Sequence, residues 1–310
     1  MFKSLRKNPF INKVFRTLIK GFGHSTQSIY KSMLSKWKLS GIIPISFYGL
    51  NFKMFSRCDD GIADSFYYNQ KFQEEPDLKL FIELSKKSTT ILDIGANTGL
   101  YSIAASKANP EAKIYAFEPY YYNFKRLEKN IHLNGCKNVL MYEQAVGDST
   151  NQVEFFIPDK ERVIDVSSVN SDFSKSFYQD DIKWKPVQVS QTTMDIFQKE
   201  SLAGKPIDLM KIDVESYEMN VFKGCGQLFK IHKPIIIFET FPDDKRIEYF
   251  NSIISGYDYY AYMILKEVLL RLDDGMQPNH DGLNFLFSGK RTNKVFTSFK
   301  EINILIDELI

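Results

Sequence analysis

Ile91-Leu92-Asp93-Ile94-Gly95-Ala96-Asn97-Thr98-Gly99 is the stretch that decides the fold of this chain. Thr90–Ile94 is a short apolar run that ends on a glycine-bearing turn, and Leu100–Lys107 continues from it with helical spacing. A strand that enters a helix through such a turn brings backbone close to a ligand at the carboxyl edge of a sheet. Further apolar runs follow at Lys113–Phe117, Val139–Tyr142, Ile207–Ile212 and Pro234–Glu239. Helical patterns alternate with them at Phe124–Asn134, Tyr217–Phe222 and Lys245–Ser255. This alternation predicts an α/β fold, a mostly parallel sheet with helices on both faces. Asp258–Ile264 and Leu283–Ser288 read as two more strands, which makes seven.

Gly95 and Gly99 enclose three residues, so the pattern is G-x-x-x-G and not the G-x-G-x-x-G of a dinucleotide fold. The tight pyrophosphate cradle is missing, and NAD fits poorly. A ligand with a sulfonium and an ammonium wants a carboxylate, which Asp93 offers. S-adenosylmethionine (SAM) has that chemistry. Glu118, in Ala116-Phe117-Glu118-Pro119, closes the second strand 25 residues after Asp93. An acid there is placed to accept hydrogen bonds from both ribose hydroxyls, and Pro119 then turns the chain. Gln144-Ala145-Val146-Gly147-Asp148 follows the third strand, where an adenine would lie.

At these residues the chain resembles the FkbM family of SAM-dependent methyltransferases. The likeness runs through Asp93–Gly99 and through Phe117-Glu118-Pro119, with Leu127, Asn130 and Asn134 in the helix after it. It resumes over Ile207–Glu218, with Asp213-Val214-Glu215-Ser216-Tyr217-Glu218 its most specific block, and weakly at Asn284-Phe285-Leu286-Phe287. The resemblance spans roughly residues 85–290. It implies a Rossmann-like class I methyltransferase fold and O-methylation of a hydroxyl, commonly on a sugar or a polyketide-type product. Ser216 stands where the family usually shows glycine; a serine there is a good helix N-cap.

Methyl transfer is an in-line displacement in which the enzyme aligns the acceptor and can remove its proton. In an open α/β sheet the reacting groups lie beyond the carboxyl ends of the strands. Asp213 and Glu215 close the fourth strand and Glu239 the fifth. The resemblance implies an antiparallel last strand, so that the loop carrying His280 and Asp281 reaches the same edge. His280, Asp213, Glu215 and Glu239 are the catalytic candidates, with His280 the general base because a neutral imidazole takes a proton near pH 7. Glu218 reads as a capping-box partner of Glu215 or Ser216. The expected cofactor site is Asp93, Gly95, Ala96, Asn97, Gly99, Glu118, Pro119, Ala145 and Asp213. No ligand spacing demands a metal. Acceptor choice is expected from Ile157–Lys185, an insertion before the fourth strand, and from the Asp273–Asp281 loop.

Composition adds bounds. The chain has 310 residues, 44% hydrophobic and 25% charged, enough for one sizeable core. Cys58, Cys136 and Cys225 are odd in number and lack paired spacing, which argues against disulfides and zinc and for a reducing, cytoplasmic setting. Eleven Lys or Arg precede the first acidic residue, Asp59, although the net charge is only +2. Phe10–Phe22 sets Val14, Phe15, Leu18, Ile19 and Phe22 at helical spacing among Lys13, Arg16 and Lys20. A helix of that kind can lie on the anionic inner face of a membrane. The expected organisation is a basic amphipathic segment over 1–45, a hairpin-and-helix lead-in over 46–88, a SAM-binding domain over 89–290 and a C-terminal helix over 291–310. The expected partner is a small-molecule or glycan acceptor, with peripheral membrane contact through residues 1–40 and no nucleic acid. Two other readings stand beside this one. A nucleic-acid methyltransferase would use the basic segment as a phosphate clamp, but Asp213-Val214-Glu215-Ser216 lacks the Asp or Asn-Pro-Pro-aromatic signature of amino-methylating enzymes. A SAM-binding scaffold without catalysis would dock partners instead.

Overall fold

The computed structural model describes residues 7–21, 38–68, 76–158, 184–241, 243–277 and 284–310. Helix α1 spans Pro9–Gly21. Asn8 caps it, its Oδ1 accepting from the N–H groups of Phe10 at 3.0 Å and Ile11 at 3.3 Å. Pro9 therefore opens the helix, at the one turn where its missing N–H costs nothing. Strands β1 (Ser40–Phe47) and β2 (Leu50–Arg57) form an antiparallel hairpin. Tyr48 and Gly49 turn it with φ of 47° and 77°, the left-handed pair that matches strand twist. The hairpin begins at Ser40, inside the stretch assigned above to the N-terminal segment. Helices α2 (Gly61–Tyr68) and α3 (Pro76–Ser85) follow.

The main sheet then builds in βα steps: β3 (Thr90–Ile94), α4 (Leu100–Ala108), β4 (Lys113–Phe117), α5 (Tyr121–Asn134) and β5 (Val139–Tyr142). The side chains of Asn130 and Asn134 on α5 accept the N–H groups of Phe55 and Lys53, each at 2.8 Å, and so pin the hairpin to the domain. Next come β6 (Ala145–Val146), β7 (Asn151–Pro158), β8 (Trp184–Thr192) and α6 (Met194–Ser201). The chain returns through β9 (Leu209–Ile212), α7 (Glu218–Lys223), α8 (Gly226–Ile231), β10 (Ile235–Glu239) and α9 (Asp244–Tyr257). It ends with β11 (Tyr260–Ile264), β12 (Val268–Arg271), β13 (Asn284–Ser288), β14 (Phe296–Ser298) and α10 (Ile302–Leu309).

The sheet order is β14-β12-β11-β13-β10-β9-β3-β4-β5. Strands β5, β4, β3, β9 and β10 are parallel, and β13 inserts antiparallel between β10 and β11. That is the Rossmann-like class I core of seven strands. Two short antiparallel strands, β12 and β14, extend it to nine. β12 escaped the sequence because only four residues pair after a tight return at Leu265–Val268, one of them the buried Arg271.

The chain winds outward from β3 in both directions, so a crevice opens at the carboxyl ends of β3 and β9, where open α/β sheets bind ligands. Alternate strand residues serve opposite layers. Ile91, Ile114, Leu209 and Ile237 face one core; Leu92, Tyr115, Met210 and Phe238 face the other. Strands β6, β8 and β7 form a separate three-stranded sheet on the flank of the crevice. No described helix is long and apolar enough to cross a membrane.

Candidate functional site

Three residues of the turn after β3 are left-handed: Gly95 at φ 83°, Asn97 at 50° and Gly99 at 96°. A Cβ on Gly95 would stand 1.9 Å from the carbonyl oxygen of Asp213, so only glycine fits there. The N–H groups of Gly95 and Ala96 donate to the Phe117 carbonyl at 3.0 and 2.9 Å, and the Asp213 N–H donates to Ile94 at 3.0 Å. The turn is thus stapled to both neighbouring strands. It floors a cleft of about 930 Å³, open mouth included, lined by Asn97, Glu118, Gln144, Ala145, Asp213 and Glu215 among others.

Glu118 is buried, and both its oxygens are engaged from below. Oε2 accepts the Asn97 N–H and Oε1 the Tyr120 N–H, each at 2.9 Å. Each oxygen keeps a lone pair for a ligand. Burial pushes the Glu118 carboxyl up to about 7, against the pull of those two N–H groups. Gly95, Ala96, Asn97, Pro119 and Ala145 line the same cleft. Gly99 acts one turn deeper, where a Cβ would meet Leu127 at 2.7 Å.

Asp93 does not line the cleft. It is 1% exposed and accepts from the Ser102 hydroxyl of α4 at 2.5 Å. Burial raises it to about 6, opposed by Ser102 and Lys211. The carboxylates that do face the cleft beside the turn are Asp213 and Glu215, whereas Glu239, at the end of β10, is not among the residues that line it.

Lys211, which sequence reasoning passed over, organises the acidic edge. It sits in the fully buried strand β9, with Nζ 3.2 Å from Asp213 Oδ2 and 5.0 Å from the centre of the Tyr101 ring. Burial pulls its pKa down, yet Asp213, Asp77 and Glu239 outweigh that and hold it charged. Tyr101 in turn donates its hydroxyl to Asp77. Burial, then Asp213, Glu239 and Glu218, pushes Glu215 up to about 9. Burial and Asp213 push Glu239 up to about 7, against Lys211. Asp213, Glu215 and Glu239 therefore share one electrostatic neighbourhood.

Glu215 and Ser216 are left-handed back to back, at φ 53° and 72°. Ser216 does not cap α7: its Oγ accepts from Arg246 at 3.2 Å, and Tyr217 at the cap position gives no side-chain bond. Glu218, the first residue of α7, reaches back two residues to accept the Ser216 N–H at 3.1 Å, which is not the N-cap-to-N3 bond of a capping box. His280 and Asp281 lie outside the described residues, as does most of the Ile157–Lys185 insertion. The described ends of that insertion belong to β7 and β8, which bring Phe155 to the cleft. Among the described residues no histidine lines the cleft, and no group of three His, Cys, Asp or Glu could hold a metal.

The methyltransferase FkbM domain model matches residues 93–263, more than half of the chain and nearly all of the crevice just described. The chain belongs to the FkbM methyltransferase family. The chain is 27% identical over 150 residues to Methyltransferase 1 of Beauveria bassiana, covering 43% of the chain and 57% of that relative. It is 28% identical over 163 residues to Methyltransferase sdnD of Sordaria araneosa, covering 44% of the chain and 60% of that relative. The match thus spans less than two thirds of the length of either curated relative. Among solved structures, an FkbM methyltransferase from Methylobacillus flagellatus superposes with a TM-score of 0.41 at 15% identity, over 74% of this chain and 55% of that one. A SAM-dependent methyltransferase from Agrobacterium tumefaciens gives 0.41 at 13% identity, over 80% and 70%. At those scores the class I assignment rests on strand order and not on superposition.

Proposed function

We propose that this FkbM methyltransferase binds SAM in the β3–β9 cleft and methylates a hydroxyl on a sugar, a glycan or a related small-molecule product. The observation that carries the reading is Glu118, buried at the strand end with both oxygens anchored and one lone pair on each still available. A vicinal diol is the ligand that uses both. The rest of the cleft fits the same cofactor: Gly95 leaves a bare backbone surface, and Asp213, paired with Lys211, offers an acceptor to an ammonium. When bound, SAM supplies an electrophilic methyl on a sulfonium.

The chain's own residues supply the rest. Burial and the neighbouring carboxylates favour the protonated form of Glu215, which can donate a hydrogen bond to an acceptor oxygen. Glu239, near 7, can take the proton that the hydroxyl loses. His280 is the other candidate for that proton. An acceptor with several hydroxyls suits an edge so rich in carboxyl groups, because each hydroxyl can donate to one. Asp213-Val214-Glu215-Ser216 supplies no proline pair for clamping a flipped base, which favours this reading over a nucleic-acid acceptor.

Transfer of label from methyl-labelled SAM over a panel of nucleotide sugars, lipid-linked glycans, small phenols and amines tests the proposal. Label on a hydroxyl of a sugar or phenol is expected. Label only on amines overturns the oxygen assignment, and no transfer to any acceptor overturns the enzymatic reading. Glu239→Gln and His280→Ala then separate the two bases: the true base loses about 10²–10⁴ in turnover with SAM affinity intact.

A further inference from the structure

A helix that packs its apolar stripe on a domain hides its large side chains. Helix α1 does the reverse. Asn12 is fully buried, its Nδ2 donating to the Lys38 carbonyl and its Oδ1 accepting the Ser40 N–H, both at 3.0 Å. Phe10 is 74% exposed and Val14 45%. Among the described side chains of α1, buried Asn12 docks the helix while Phe10 and Val14 turn to the outside. On the adjoining outer face of β1, Ile42 is 49% exposed, and Pro44 stands beside it over a shallow groove shared with Phe10.

Cations outnumber acids around this face. Lys13 and Lys53 rim the groove, and Lys7, Arg57 and Lys129 stand near it. Lys129 holds its ammonium 3.1 Å from the centre of the Phe55 ring. No acidic residue precedes Asp59 in the chain. Asp59 pairs with Arg126 at 3.1 Å and Asp64 with Lys38 at 3.3 Å.

We propose that α1 and the outer face of the β1–β2 hairpin form a docking surface for an anionic lipid bilayer. Projecting Phe10, Val14 and Ile42 reach the boundary between headgroups and acyl chains while the lysines meet lipid phosphates. A nucleic acid would satisfy the cations but leave Val14, Ile42 and Pro44 in contact with water. The surface is coupled to the cleft: α2, which leaves the hairpin, contributes Ile62 to the cleft wall. Docking therefore holds the active cleft at a fixed distance from the lipid and favours acceptors that are themselves membrane-linked.

Flotation of the full chain with vesicles of phosphatidylcholine, with and without phosphatidylserine, tests this. The expected result is at least roughly 10-fold more protein floating with the anionic vesicles, fading as salt screens the surface. Phe10→Asp/Val14→Asp and Lys7→Glu/Lys13→Glu alter exposed side chains, so circular dichroism and SAM binding should stay unchanged while flotation is lost. Equal flotation of variants and wild type, flotation indifferent to phosphatidylserine, or none at all overturns the proposal. So does a wild-type dimer that the Phe10→Asp/Val14→Asp variant splits, which would assign the face to a second copy. Tight binding of single-stranded RNA that ignores the Phe10 and Val14 changes, without flotation, would assign it to nucleic acid.

Discussion

Glu118 does two things with one carboxylate: it ties the Asn97 turn to the start of α5 through two N–H groups, and it offers its remaining lone pairs upward. A charge-assisted hydrogen bond contributes about 1.5–3 kcal/mol. Glu118→Ala should therefore weaken SAM binding by roughly 10- to 150-fold, and calorimetry reading an unchanged affinity would remove the ribose from this residue. Ser216 poses the opposite problem, a side chain where the backbone asks for none. A left-handed non-glycine residue costs of order 1 kcal/mol or more, so Ser216→Gly should raise the melting temperature by roughly 2–4 °C. A lower melting temperature in that variant would mean that the bond from Arg246 outweighs the backbone strain. These positions were legible in the sequence because a glycine spacing and an acid at a strand end are local signals. Lys211, Asp77 and Tyr101 were not, since they meet from three separate elements and no window of sequence contains them. Asp93 shows a subtler limit. It shares parity with Ile91, and the strand's alternation turns it toward α4 and Ser102 instead of the cleft.

At the scale of elements, the carboxyl ends of β3, β4, β9 and β10 and the start of α7 gather carboxyls that burial makes hard to ionise. Asp93 stands near 6, Glu118, Glu218 and Glu239 near 7, and Glu215 near 9. Each folded value lies above the ordinary one, so the folded chain retains protons that the unfolded chain releases. The stability these groups contribute is complete below about pH 4, the range of free carboxyls. It drains away as pH rises through 6 and 7 and, for Glu215, toward 9. Thermal melts of the cofactor-free protein should fall from pH 5 to pH 9 for this reason, and Glu215→Gln should flatten the upper part of the decline. A melting temperature that climbs across that window would contradict the burial of these groups. The hairpin of β7 and β8 was legible in retrospect: Phe155 and Ile157, then Val187 and Val189, repeat at the period of a strand. The polar residues between Pro158 and Trp184 drew the reading toward an insertion instead.

For the whole molecule, the order of βα steps in the sequence was enough to set the parallel half of the sheet, because β3, β4, β9 and β10 are near-continuous apolar runs buried on both faces and only the edge strand β5 is partly exposed. The antiparallel edge was harder. Strands of three or four residues such as β12 and β14 carry too little pattern to separate from loop, and they acquire their identity only by pairing. The same holds for α1, whose composition does not say which residue docks it; the bonds of Asn12 to Lys38 and Ser40 exist only in the fold. One feature of the architecture bears on descent. Among the described residues the β6-β8-β7 sheet shares no ladder with the nine-stranded sheet, yet it presents Phe155 to the cleft. The β7–β8 pair is therefore held beside the cleft without sharing the ladder that carries Gly95 and Glu118. Lengthening or exchanging the β7–β8 connection leaves the backbone bonds around Gly95 and Glu118 untouched, so under the proposed function a lineage can try new acceptors there while it keeps the same cofactor turn. An engineer can do the same by grafting that hairpin from one relative onto another.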